Sequence, residues 1–296
     1  MAKGGAQEIK GLFTALITPF DARGRVNPEA LQRLVSFQVS KGAEGIFPCG
    51  STGLGPMLSP EERKSVAATV VGSAKGRVPV VVQVGAADTG TAAELAVHAE
   101  DVGAYAVASL TPYYYKPGER AVAKHFEAIL KKVDIPVLAY NIPQFTGNNL
   151  SPAAVQELAK SGVAGIKDSS RDFLHLLDLL DAVPDGFVVM NGTEEYGLHA
   201  VMSGADGLVS GGASALPELF SSMLLAQRKG DAKSALAAQK RVREVKDLVK
   251  SGPISAYYAI LKERGIDCGV PRPPFLPTDQ SSSAAAMAGL RALGLV

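Results

Sequence analysis

Short apolar runs alternate with amphipathic stretches along most of the chain, which predicts a strand–loop–helix rhythm. The first run, Gly11–Thr18 (GLFTALIT), is apolar and β-branched and stops at Pro19. Asn27-Pro28 then reads as an N-cap with proline at the first helical position; Leu31, Leu34, Val35 and Val39 follow at helical spacing, and Gly42 ends the helix. Further strands are predicted at Gly45–Phe47, Pro79–Val84, Tyr105–Leu110, Pro136–Tyr140, Val163–Lys167, Phe187–Met190 and Gly207–Val209. Helices separate them: one opened by the capping box Ser59-Pro60-Glu61-Glu62, then Thr91–Val102, Glu119–Val133, a Ser151-Pro152 helix reaching Ser161, Asp172–Ala182 and Glu195–Ser203.

Eight such units, with strands apolar on both faces, point to a parallel sheet closed as a (β/α)8 TIM barrel. An open doubly wound sheet is the alternative, and the count of eight disfavours it. The last part of the chain loses the rhythm. Ala215–Gly230, Ala232–Lys250 and Ser255–Arg264 read as helices without strands between them, and a helix at Ser281–Leu293 follows the proline-rich stretch Pro271–Pro277. The expected organisation is a barrel carrying the active site over residues 1–224 and a C-terminal helical region over 225–296.

Composition narrows the classes of function. Of 296 residues, 47% are hydrophobic and 20% charged, and 30 basic against 29 acidic residues leave a net charge of +1. No field of one sign exists to attract nucleic acid or an anionic membrane. No run approaches the ~18 apolar residues of a membrane span, and the polar stretch Met1–Lys10 has no signal-peptide core, so a cytoplasmic protein is expected. Two cysteines, Cys49 and Cys268, allow neither a disulfide framework nor a four-thiolate zinc site.

Barrel enzymes place their chemistry at the C-terminal ends of the strands. Lys167 closes the sixth predicted strand, where its ammonium would lose water; a neutral amine there can attack a carbonyl to form a Schiff base, or the side chain can reach the rim and pair with Asp168. Tyr140 closes the fifth, one unit away, and would open on the same mouth as a proton shuttle or as a rim-packing ring. The loop Gly50–Gly55 ends the second strand; its N–H groups and the hydroxyls of Ser51 and Thr52 suit a carboxylate or phosphate, or the glycines serve a tight turn. It is no P-loop, because Pro56 follows Gly55. Tyr113–Tyr115 supply mouth hydroxyls or interface aromatics. His98, His125, His175 and His199 all fall in predicted helices and form no close pair, so metal chemistry is disfavoured; no GxGxxG motif follows the first strand.

Five ordered motifs carry a resemblance. Gly50-Ser51-Thr52-Gly53, Thr111-Pro112-Tyr113-Tyr114, Tyr140-Asn141-Ile142-Pro143, Gly165-Ile166-Lys167-Asp168 and Arg272-Pro273-Pro274 occur in the order and spacing of the dihydrodipicolinate synthase / N-acetylneuraminate lyase family, which the chain resembles over nearly its whole length. That resemblance implies a class I aldolase acting on pyruvate or a 2-keto acid, commonly a homotetramer built as a dimer of dimers, with no external cofactor. It implies Lys167 as the Schiff-base lysine and Tyr140 as acid/base, with Tyr114 reaching in from a neighbouring subunit to complete a hydroxyl relay. Ser51, Thr52 and Gly53 would form the carboxylate-binding loop, and Ser169, Glu194 and Val209 would complete the substrate-binding set.

Departures from the family pattern address the substrate. Leu54-Gly55-Pro56 is similar to the 2-keto-3-deoxygluconate aldolase branch, and Phe145 stands where dihydrodipicolinate synthases carry the arginine that binds an aldehyde's carboxylate. Ser169 matches a threonine of sugar-acid aldolases. Asn191-Gly192-Thr193-Glu194-Glu195 resembles a sialate lyase segment that binds sugar hydroxyls, although Glu194 and Glu195 can equally serve as acidic residues opening a helix. The expected reaction is cleavage of a 2-keto-3-deoxy sugar acid to pyruvate and an aldehyde. N-acetylneuraminate lyase, 4-hydroxy-tetrahydrodipicolinate synthase and a hydratase-aldolase or dehydratase are the alternatives within the family. A non-catalytic keto-acid-binding barrel and a phosphate-binding isomerase-type barrel are the alternatives outside it.

Overall fold

A computed structural model describes residues 9–250 and 252–296, so the N-terminal reading lies, for residues 1–8, outside the described residues. The apolar runs form eight parallel strands: β1 (Gly11–Ala15), β2 (Gly45–Phe47), β3 (Val81–Gln83), β4 (Ala106–Leu110), β5 (Val137–Asn141), β6 (Gly165–Asp168), β7 (Val188–Asn191) and β8 (Gly207–Ser210). Their hydrogen-bonded order is β2-β1-β8-β7-β6-β5-β4-β3. The remaining seam, between β2 and β3, is closed by the bridge of Ile46 to Val80 and by the Gln83 N–H donating to Pro48 O at 3.2 Å. The result is a (β/α)8 barrel.

Helices cover it in chain order: α1 (Pro28–Ser40), α2 (Pro60–Ala74), α3 (Thr89–Asp101), α4 (Glu119–Leu130), a short α5 (Pro143–Thr146), α6 (Pro152–Lys160), α7 (Phe173–Ala182), α8 (Gly197–Met202) and α9 (Pro217–Arg228). The caps read from sequence are made. Asn27 accepts from the Ala30 N–H, and Ser59 and Glu62 close the reciprocal capping box. Because strand side chains alternate, the barrel has two cores. Phe13, Phe47, Leu138 and Met190 fill the inside, whereas Leu12, Ile46, Val107 and Ile166 pack outward under the helices.

Four local differences from the sequence reading have physical causes. β1 ends at Ala15 because the chain turns away toward Pro19, where the Ile17 N–H finds the Ser214 hydroxyl at 3.0 Å. The stretch after β5, to which the sequence pattern assigns no element, starts α5 at Pro143, whose missing N–H suits a first helical turn. The helix expected from Glu195 begins as a 3₁₀ turn over Glu194–Tyr196, because the Glu194 side chain is held elsewhere. The expected division after residue 224 falls inside α9, which packs on β1 as the last helix of the barrel wall.

Beyond α9 the chain is helical: α10 (Ala232–Val249), α11 (Pro253–Glu263) and α12 (Gln280–Ala292). Docking is specific. Gln239 on α10 accepts from the Leu198 N–H at 2.7 Å and donates to Glu194 O at 2.9 Å, and Tyr258 on α11 donates to Thr18 O at 2.6 Å. Arg272 donates to Gly24 O, Met57 O and both oxygens of Glu62, tying the stretch after α11 to the α1–α2 side of the barrel. Among the described residues, no helix is long and apolar enough to cross a membrane.

Candidate active site

The barrel mouth opens on a pocket of about 170 Å³ whose floor carries Lys167. The register of β5, β6 and β7 aligns Tyr140, Lys167 and Met190, so their side chains share the inner face. Lys167 is 4% exposed, and its Nζ lies 3.9 Å from the centre of the Tyr140 ring and 4.3 Å from that of Phe47. Among the described residues no carboxylate lies within ion-pair distance of it.

Asp168, one residue on, points outward. Its carboxylate accepts from Asn141 Nδ2 at 2.8 Å and from Ser170 Oγ at 2.7 Å, with His175 Nε2 at 3.8 Å. The strand's alternation therefore removes the Lys167–Asp168 pairing considered from sequence. Burial pushes the Asp168 carboxyl above its usual range, against the pull of the Ser170 and Asn141 hydrogen bonds.

Tyr140 is buried, with its hydroxyl 3.4 Å from Ser51 Oγ and its ring set edge-on to Phe47. The loop bearing Ser51 and Thr52 is folded by its own backbone: the Leu54 N–H donates to Ser51 O and the Gly55 N–H to Gly50 O. Cys49 and Leu54 both adopt left-handed φ, and a Cβ on Gly55 would lie 1.8 Å from Cys49 O, so only glycine fits there. Among the described residues, the N–H groups of Ser51 and Thr52 have no acceptor within the protein. Two free N–H groups beside two hydroxyls suit one carboxylate; they are too few for the nest that cradles a phosphate chain. Gly53 serves this loop from behind: its carbonyl accepts from Thr18 Oγ1 at 2.6 Å, and it does not line the pocket.

Across the pocket stand Ser169, Glu194 and Val209. Glu194 is buried rather than fraying from a helix end. Its Oε1 accepts from the Gly212 N–H at 2.6 Å and Ser210 Oγ at 2.8 Å, while Oε2, with no hydrogen-bond donor among the described residues, lies 3.4 Å from Lys246 Nζ. The charge of Glu194, and then of Glu195 at 3.9 Å, holds the Lys246 ammonium above its usual range although burial opposes it.

Phe145, on α5, lines the pocket at the rim and is 68% exposed. Tyr114 is 85% exposed, stacks edge-on against Tyr115, and lies outside the pocket of its own chain. Cys49 is buried against Arg63 O, and burial pushes its thiol up to about 11, in keeping with a packing role. Thr193, within the segment read from sequence, also lines the pocket, as do Gln144, Arg171, Lys246 and Tyr257, which the sequence reading does not assign to it. Ile142 and Gln144 follow a motif strand, which is a usable signal. Lys246 and Tyr257 lie on α10 and α11, far along the chain, and nothing local in their sequence points to the mouth. Among the described residues, no group of three or more His, Cys, Asp or Glu side chains is placed to hold a metal ion.

A parallel barrel with an unpaired lysine among aromatic rings at a strand end, and a tyrosine hydroxyl and carboxylate-binding loop beside it, defines a class I, Schiff-base-forming lyase or aldolase. The chain belongs to the dihydrodipicolinate synthetase family, whose model matches residues 8–293. It is 35% identical over 285 residues to a 4-hydroxy-tetrahydrodipicolinate synthase of Acidiphilium cryptum, covering 95% of this chain and 98% of that one. Among solved structures it is similar to a catalytic lysine mutant of Ruminococcus gnavus sialic acid aldolase (27% identity, TM-score 0.94, 98% and 99% of the two chains). It is also similar to a variant of Sulfolobus solfataricus 2-keto-3-deoxygluconate aldolase (28% identity, TM-score 0.90, 96% of each chain).

Proposed function

We propose that Lys167 condenses with the keto group of a 2-keto acid and that the enzyme makes or breaks the bond between C3 and C4 of that acid. The observation that carries this is the Lys167 amine, buried between two rings with no carboxylate beside it, one hydroxyl relay away from two free N–H groups. Ser51 and Thr52 would hold the C1 carboxylate. Attack of the amine on C2 and loss of water give a protonated imine, an electron sink. Tyr140 then takes the C4 hydroxyl proton, the C3–C4 bond breaks, its electrons pass into the imine as an enamine, and an aldehyde leaves. Protonation at C3 and hydrolysis release pyruvate and restore the lysine. Tyr114, turned away from its own pocket, would deliver its hydroxyl to the relay of a neighbouring copy, which accords with a homotetramer built as a dimer of dimers.

For the second substrate we favour a 2-keto-3-deoxy sugar acid of the 2-keto-3-deoxygluconate type. Phe145 cannot make the bidentate contact of a guanidinium with an aldehyde's carboxylate, and Glu194 and Ser169, both in the pocket lining, would serve as partners for sugar hydroxyls. A 4-hydroxy-tetrahydrodipicolinate synthase is the second reading, favoured by the name that the Acidiphilium cryptum relative carries. Borohydride trapping with pyruvate, read by peptide mass, is expected to label Lys167; a folded protein that gives no adduct refutes the lyase reading. Steady-state assays then compare 2-keto-3-deoxygluconate cleavage with pyruvate plus aspartate semialdehyde condensation, and turnover of the second pair alone selects the synthase.

A further inference from the structure

Arg171 lines the pocket mouth on the loop between β6 and α7, and three observations set it apart. Its φ is 64°, in the left-handed region where glycine is the default, yet the position holds a long cationic side chain. Among the described residues no carboxylate lies within ion-pair distance of its guanidinium. The acids around it are committed elsewhere: Asp172 accepts the Leu174 and His175 N–H groups as the cap of α7, Asp168 is held by Asn141 and Ser170, and Glu194 and Glu195 face Lys246. Lys246 has two carboxylates within ion-pair distance, whereas Arg171, among the described residues, has none.

We infer that Arg171 is a specificity-determining residue that receives a second anionic group of the substrate, a terminal carboxylate or phosphate ester at the end remote from the keto acid. This rests on the reading of the site as a Schiff-base lyase. In that pose the C1 carboxylate sits on the Ser51–Thr52 loop, the hydroxylated carbons pass Glu194, and the far end of the chain reaches the guanidinium fork, whose geometry matches either anion bidentately. Phe145 leaves the loop after β5 without a cation, and Arg171 would supply one from the neighbouring loop after β6, which Gln144 Nε2 joins by donating to Ser169 O at 3.0 Å.

The test uses three six-carbon 2-keto-3-deoxy acids that differ only at C6, which is a hydroxymethyl, a carboxylate or a phosphate ester. The readout is the concentration that half-saturates borohydride-trapped adduct on the intact protein, which needs no bond cleavage. For the wild type, a C6 anion is expected to lower that concentration roughly tenfold, the effect of one charge-assisted contact. Arg171→Gln and Arg171→Gly should each reduce the ratio between anionic and neutral acids to about twofold. Glycine also relieves the left-handed backbone, so that variant is expected to melt no lower than wild type. The acid that loses more distinguishes carboxylate from phosphate as the preferred group. A wild-type protein indifferent to the C6 group, a preference that survives both variants, or a loss shared equally by all three acids overturns the inference. Absence of any adduct with pyruvate itself is a different result, which overturns the lyase reading and this inference with it.

Discussion

Glu194→Ala removes a buried carboxylate that organises three elements at once, and its cost can be worked from the contacts. The Gly212 N–H at 2.6 Å and the Ser210 hydroxyl at 2.8 Å lose their acceptor, and Lys246 loses its nearer counter-ion at 3.4 Å. Hydrogen bonds to a charged group contribute about 1.5–3 kcal/mol each, but Ser210 keeps its contact with the Ala213 N–H and water can enter from the open pocket. A net destabilisation of about 3 kcal/mol follows for alanine. Glutamine keeps an oxygen for both donors and should cost about 1 kcal/mol. Lys246→Met isolates the ion pair. Because Lys246 is a quarter exposed at its side chain, the coupling between Glu194→Gln and Lys246→Met should be only about 0.5–1 kcal/mol. Urea unfolding at pH 7 of the wild type, the alanine variant and the double-mutant cycle measures all of these terms. An alanine variant within about 0.5 kcal/mol of wild type, as for an ordinary surface substitution, would refute the account of Glu194 as a buried hub.

Two further outcomes follow from buried groups away from the pocket. His125 accepts or donates at both ring nitrogens, to Thr89 and Ser109 hydroxyls 3.0 Å away, and burial pulls its imidazole down from 6.5 to about 4. The unfolded chain binds that proton more readily, so stability is complete above pH 6.5 and declines as pH falls toward about 4, by a contribution of about 3 kcal/mol that His125→Gln should remove from a pH series of urea midpoints. Cys49, its thiol pushed up to about 11 by burial, should react with an aromatic disulfide reagent only as fast as the native protein opens, and a burst of labelling at pH 8 in the folded protein would contradict that.

Much of the barrel was legible because each strand and helix carries its own signal. Capping residues such as Asn27, Ser59 and Ser151 mark helix starts, and the strand-end positions of Tyr140 and Lys167 place both on one inner face once the register is known. Four things were not legible, for separate reasons. Which way Asp168 points depends on the strand's pleat, and the sequence alone leaves pairing with Lys167 open. Glu194 sits at a helix start by sequence, and only the return of Ser210 and Gly212 on the next unit explains why its side chain turns inward. Lys246 and Tyr257 reach the pocket through the docking of α10 and α11, a tertiary event without a local pattern. Arg171 belongs to a fourth kind. Its left-handed backbone is invisible in a residue type that seldom adopts it, and the loop's conformation follows from how β6 and α7 are joined rather than from any local pattern.

The helices after the barrel wall carry a consequence for how the protein comes into being. Chains emerge from the ribosome N-terminus first, and the strand bearing Lys167 is made long before α10 and α11, which contribute Lys246, Pro253, Ile254 and Tyr257 to the rim. Until those last segments dock, the pocket lacks one wall and Glu194 lacks its counter-ion. The same order applies over evolutionary time: the floor is written into strands that hold the whole sheet together, while one wall of the rim is written into a C-terminal segment packed on α9 and docked through Gln239, Tyr258 and Arg272. The part of the rim made by Lys246, Pro253, Ile254 and Tyr257 can therefore change at the end of the chain while the lysine and its aromatic cradle stay where they are.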